Sequence, residues 1–143
     1  MKFGMFYEIQ VPRPATPEAE HQRIREIIDQ VVLAEEMGFE HVWFVEHHFL
    51  TEWAHCSANE VMLAAISQHT TNMRLGFGVV LLPVHHPLHV AVKTATLDVL
   101  SGGRVDVGVG RSGNPYQLTP FGVNLEDTKG IWEESLQMIP NIW

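Results

Sequence analysis

Apolar and polar positions along this chain switch between two periods, and the switches mark its elements. Lys2 to Tyr7 is short and aromatic-rich and reads as a first strand. Pro12, Pro14 and Pro17 forbid a regular ladder after it, so a loop follows. Thr16, Pro17, Glu18 and Glu20 form a helix start: a hydroxyl cap, proline at the first helical position, and carboxylates facing the dipole. Ile24, Ile27, Ile28, Val31 and Ala34 then share one helical face, and Gly38 is placed to end the helix in the left-handed conformation. Val42-Trp43-Phe44-Val45 is apolar without interruption and reads as a buried strand. It runs directly into Glu46-His47-His48-Phe49.

The alternation continues. Ser57-Ala58-Asn59-Glu60 has the form of a capping box, with Val61, Ala64 and Ala65 carrying a second helix to about Thr70. Arg74 to Leu82 is a third strand; Gly76 and Gly78 at alternate positions leave one face bare for close approach. Pro83 to Pro87 is a loop containing His85 and His86, and Leu88 to Leu100 a third helix with Val90, Thr94, Leu97 and Leu100 on one face. Ser101-Gly102-Gly103 ends it. Arg104 to Val109 is a fourth strand followed by a Gly110–Pro115 loop. Asn124, with Asp127 three residues on, caps a last helix through Leu125, Thr128, Ile131, Trp132, Leu136 and Ile139, which Pro140 closes. Four strand–helix units call for an α/β fold with a parallel sheet and right-handed crossovers. Four units are half of an eightfold barrel.

Composition narrows the functions. The chain has 143 residues, one domain's worth (1–143), with 45% hydrophobic residues. Nine Lys and Arg against seventeen Asp and Glu give a net charge of -8, which argues against nucleic acid and against an anionic membrane as partner. One cysteine, Cys56, excludes a disulfide framework and a Cys-based zinc site. The N-terminal residues do not read as a signal peptide, and no run approaches a membrane span, so a cytoplasmic soluble protein is expected.

Chemistry in α/β proteins sits at the ends of parallel strands, which puts Glu46, His47 and His48 first among candidates. If still on the strand, His47 and His48 face opposite sides. An imidazole shuttles a proton at neutral pH; the plain alternative is a pair of solvated loop histidines. Glu46 either orients an imidazole or serves as a salt-bridge partner. His85 and His86 lie at the same end and either border the pocket or have no role. Glu46, His47 and His86 as ligands of one ion is the metal reading, and no metal is expected. Gly108-Val109-Gly110-Arg111-Ser112-Gly113 lacks the P-loop lysine, but its backbone N–H groups and Arg111 suit an anion; the alternative is a tight turn. Arg104 opens the fourth strand at the opposite end and reads as structural. Trp43 and Phe44 read as core, and Cys56 as a thiol without a role.

Several motifs together resemble one family. They are Met1-Lys2-Phe3-Gly4, Ala34 to Phe49, Leu81-Leu82-Pro83 with His86-Pro87, Leu100 to Arg104, and Gly108-Val109-Gly110-Arg111. In this order they resemble the bacterial luciferase-like flavin-dependent monooxygenases. The resemblance implies a (β/α)8 TIM barrel, of which this chain supplies the first four β/α units. It implies reduced FMN as cosubstrate, dioxygen as oxidant and a small organic substrate; some members use a deazaflavin for hydride transfer. It implies His47 as the catalytic histidine, with Glu46 and His48 in support. It implies that Arg111 meets the flavin phosphate, with Gly110 beside it, and that Gly78-Val79 lies along the flavin ring, where the light-emitting members have two alanines. Those members have a reactive cysteine where this chain has Gly110, so light emission is not expected. The alternative in a different class is an inactive half-barrel, or a flavin-binding subunit that completes a barrel only by self-association. Open edges on the first and fourth strands make an isologous homodimer the expected assembly.

Overall fold

The computed structural model describes residues 1–143. Its frame is four parallel strands in the order β1-β2-β3-β4: β1 (Gly4–Tyr7), β2 (His41–Phe44), β3 (Arg74–Leu81) and β4 (Val105–Gly110). Helices α1 (Pro17–Glu36), α2 (Asn59–Ser67) and α3 (Pro87–Ser101) make the crossovers. A short α4 (Pro115–Leu118) and a long α5 (Thr128–Ile142) follow β4. No helix is long and apolar enough to cross a membrane.

The local rules place the first crossover. Thr16 Oγ1 accepts from the Ala19 amide, Pro17 opens α1, and Gly38 follows its end at φ +87. Ile27, Ile28, Val31 and Ala34 of α1 are buried against the sheet. One sheet face is thus the core: Val42, Phe44, Leu75 and Phe77 are sealed beneath Ile27, Leu63, Val90 and Leu97 of the helices. Each such side chain contributes about 1.5–3 kcal/mol by burial.

The N-terminal ends of the strands are tied by polar groups. Arg104 donates to the carbonyls of Ser67, Met73 and Ser101, and to Thr70 Oγ1, which gives it the structural place expected of it. Arg74 pairs with Asp106 across β3 and β4. This leaves the opposite, C-terminal ends for chemistry.

Several local readings are corrected. The Ser57–Glu60 capping box does not form: α2 begins with Ala58 as an uncapped N-cap, Ser57 Oγ donates to the His47 carbonyl, and Glu60 pairs with Lys93 of α3. Tertiary partners outcompeted the local ones. Asn124 precedes only a 3-10 turn, Leu125–Asp127, with no side-chain capping bond because its Nδ2 donates to Asp127 Oδ2, and α5 starts at Thr128. α5 also runs through Pro140 rather than stopping there; near the helix end the missing N–H costs a single hydrogen bond. Trp43 is not in the core with Phe44. It lies on the other face, its indole so close over Gly76 that a Cβ there would stand 2.2 Å from the ring. The bare face at Gly76 is filled by this chain's own tryptophan.

Candidate active site at the C-terminal ends of the strands

Backbone strain points to this end before any side chain does. The three non-glycine residues with positive φ are Ile9 (54°), Phe49 (61°) and Ser112 (59°). They lie just past β1, β2 and β4. Such conformations cost about 1–3 kcal/mol each and concentrate where function requires a fixed geometry.

Glu46 is closely enclosed here, with its side chain 2% exposed. Its Oε1 accepts from Nε2 of His48 and from Nε2 of His85, both at 2.6 Å, and its Oε2 accepts from the Leu81 amide at 2.8 Å. Burial pushes the carboxyl pKa up. The two imidazole hydrogen bonds, the His85 charge and the Leu81 N–H outweigh it and hold the pKa at about 2. Donor atoms of Glu46, His48 and His85 fall within 4.8 Å of one another. At 2.6 Å the N–O separations are those of charge-assisted hydrogen bonds. Ligands about 2.0 Å from one ion would stand about 3.3 Å apart in a tetrahedron. The metal trio of the sequence reading is not assembled, because His86 instead caps α3 by accepting the Leu88 amide. Cys56, buried nearby, has its thiol pushed up to about 12 by burial and the Glu46 and Glu60 charges.

Glu46 therefore does not orient His47. β2 ends at Phe44, so the opposite-faces expectation for His47 and His48 does not apply. The partner of His47 is Gln117, whose Oε1 lies 3.1 Å from Nδ1 and also accepts the His48 amide at 3.1 Å. Gln117 is buried, on α4, which Asn114 caps and Pro115 opens. The backbone of His47 is held as well: its N–H donates to the Cys56 carbonyl at 2.8 Å. Sequence reading missed Gln117, although Asn114-Pro115 is a cap followed by an N1 proline and marks the short helix that carries it.

The sheet face turned away from the helices forms the floor. Between Phe77↔Val107 and Val80↔Val109 the β3–β4 register shifts, so Gly78 and Val79 oppose the single residue Gly108. The bulge turns both toward this face: Gly78 toward Phe6 and Trp43, Val79 toward Gly108 and Gly110. Asn59, fully buried, pins the bulge by donating to the carbonyls of Phe44 and Val79. Gly110 has no room for a side chain, because Val79 Cγ2 would stand 2.6 Å from its Cβ. The space a cysteine would take there holds a valine methyl. Arg111 follows, exposed, with Nη1 donating to Thr128 Oγ1 at 3.2 Å and its other N–H groups open to an anion. Gly78, Val79 and Gly110 thus line one face of the sheet; Arg111 follows at its C-terminal end with its guanidinium on Thr128 of α5, and His47 stands at the same strand ends.

A family model described as luciferase-like monooxygenase matches residues 1–143. The 4-hydroxyprotoasukamycin monooxygenase of Streptomyces nodosus subsp. asukaensis is 39% identical over 105 residues, 73% of this chain and 28% of that protein. The crystal structure of monooxygenase RslO1 from Streptomyces bottropensis superposes with a TM-score of 0.93 at 34% identity, over 100% of this chain and 43% of that one. The oxygenating constituent of 3,6-diketocamphane monooxygenase from Pseudomonas putida, solved in complex with FMN, shares the fold at a TM-score of 0.90 and 23% identity, over 100% of this chain and 40% of that one. The chain spans well under half the length of each.

Proposed function

Because the chain belongs to the luciferase-like monooxygenase family, we propose that it supplies the flavin- and proton-handling half of a flavin-dependent monooxygenase. The substrate is a small organic molecule, oxidised with dioxygen and reduced FMN; a deazaflavin is the alternative cofactor. One observation carries this: a histidine held by Gln117 stands at the strand ends beside a bulged, glycine-lined surface that ends in an exposed arginine.

The residues present fit the cofactor. Gly78 and Val79 offer backbone to a planar ring, and Arg111 with the N–H groups from Gly110 to Gly113 suits a phosphate. Reduced flavin, when bound, supplies the electrons that activate dioxygen. His47 takes up and returns a proton beside it, the task for which an imidazole is suited at neutral pH. Glu46, His48 and His85 act as a strut that joins the ends of β2 and β3. The reading places the protein in the cytoplasm, where a single unpaired thiol such as Cys56 is ordinary.

FMN binding tests it. Quenching of FMN fluorescence by the purified chain is expected to saturate, and Arg111→Ala to weaken binding about tenfold, the loss of one charge-assisted phosphate contact of about 1.5 kcal/mol. No quenching at high micromolar FMN would instead favour the inert half-barrel.

The open sheet favours a second reading, of assembly. β1 and β4 are both edges, and Phe6 is 61% exposed on the floor. A second copy of this chain in a homodimer would supply strands to cover that surface. Light scattering of the chain is expected to give twice 16.2 kDa; a monomer would remove the homodimer.

A further inference from the structure

We propose that Gln117 is the positioning residue that fixes His47 as its Nδ1–H tautomer and leaves Nε2 as the atom that accepts and returns the proton. The proposal rests on His47 being the proton-transfer group.

The assignment follows from one donor whose identity is fixed. The His48 backbone N–H can only donate, so the Gln117 atom 3.1 Å from it is the carbonyl oxygen. The reversed amide would set an NH2 group against that N–H, at a side chain 4% exposed where water cannot relieve the clash. The same oxygen faces His47 Nδ1 at 3.1 Å. A deprotonated Nδ1 would oppose lone pair to lone pair, so Nδ1 carries the hydrogen. With the His47 and His48 donors both in place, the oxygen has its two lone pairs filled. In the neutral ring the proton-accepting atom is then Nε2, which Gln117 does not touch.

The choice of an amide has a consequence of its own. A carboxylate at this position would bind the imidazolium and hold its proton. Gln117 orients the ring without supplying a charge. The carboxylate next to it in the chain, Glu46, already has its Oε1 on His48 and His85 and its Oε2 on Leu81. The ring that must release a proton is thus the one given a neutral partner.

Long-range 1H–15N correlation spectra of the 15N-labelled chain, above the histidine titration range, read the tautomer without turnover. The His47 signal is identified by its loss in His47→Asn. It is expected to show a protonated Nδ1 and a bare Nε2. Gln117→Glu keeps an acceptor and should keep Nδ1 protonated; Gln117→Leu removes it and should shift His47 toward the Nε2–H form. A wild-type Nε2–H pattern would overturn the lock, as would a pattern that Gln117→Leu leaves unchanged. If Gln117→Leu fails to fold, the wild-type and Gln117→Glu spectra still decide. A failed tautomer assignment overturns the lock alone. An unimpaired rate in His47→Ala overturns the catalytic role of His47, and with it the claim that the lock serves proton transfer.

Discussion

Replacing Glu46 with alanine is expected to destabilise the fold by about 3–5 kcal/mol, as breaking a buried charged pair does. Three donors lose their acceptor at once: His48 Nε2, His85 Nε2 and the Leu81 amide. The side chain is 2% exposed, so solvent does little to replace it. The same group sets an acid limit. Its folded pKa of about 2 is depressed from 4.5. Its contribution is therefore complete above the unfolded pKa of 4.5 and is lost as pH falls toward 2. A shift of that size corresponds to about 3 kcal/mol. Urea denaturation of the wild type at pH 7 and at pH 3 should show this fall. Glu46→Gln can still accept from both imidazoles but sets its NH2 toward the Leu81 amide. It should be less stable at pH 7 and show a flatter acid limb. A penalty below about 1 kcal/mol for Glu46→Ala at pH 7 would show that the strut does not hold the strand ends together.

That strut separates what is readable in a sequence from what is not. The ends of α1 are set by Thr16, Pro17 and Gly38 through contacts within a few residues, an unbroken apolar run identifies β2, and helical period identifies the face of Ile27, Ile28 and Val31. The strand-end position of Glu46, His47 and His48 follows from β2 by counting. Which of them meet depends on chain returning from far away. His85 reaches Glu46 across 39 positions and Gln117 reaches His47 across 70. Adjacency therefore suggested that Glu46 supports His47, while the fold gives each a different partner. The false capping box has the same origin: Ser57 and Glu60 satisfy the local rule, but the His47 carbonyl and Lys93 take them. Family resemblance, which carries tertiary information, singled out His47, Gly78, Val79, Gly110 and Arg111. It did not indicate that Val79 itself closes the space beside Gly110.

His47→Ala is expected to slow the proton-dependent step by about 10²–10⁴-fold, the usual contribution of a positioned general acid or base. The site isolates that effect from folding. The backbone of His47 is held by the Cys56 carbonyl and by Ser57 Oγ, contacts that an alanine keeps. Gln117 retains the His48 amide and loses one donor, which costs about 1 kcal/mol. Rate and stability should therefore separate. The rate is read as the return of oxidised FMN after the reduced-flavin complex is mixed with air-saturated buffer, and stability by urea denaturation of the same variant. His48→Ala is the opposite case. Its Nε2 is committed to Glu46 at 2.6 Å, so that variant should lose stability and keep most of the rate per folded molecule. On the proposed function, two adjacent imidazoles, alike in the sequence, divide between chemistry and structure, with Gln117 as the partner of one and Glu46 of the other. A His47→Ala rate within about threefold of wild type, or a His48→Ala loss as deep in rate as that of His47→Ala, would reverse the assignment.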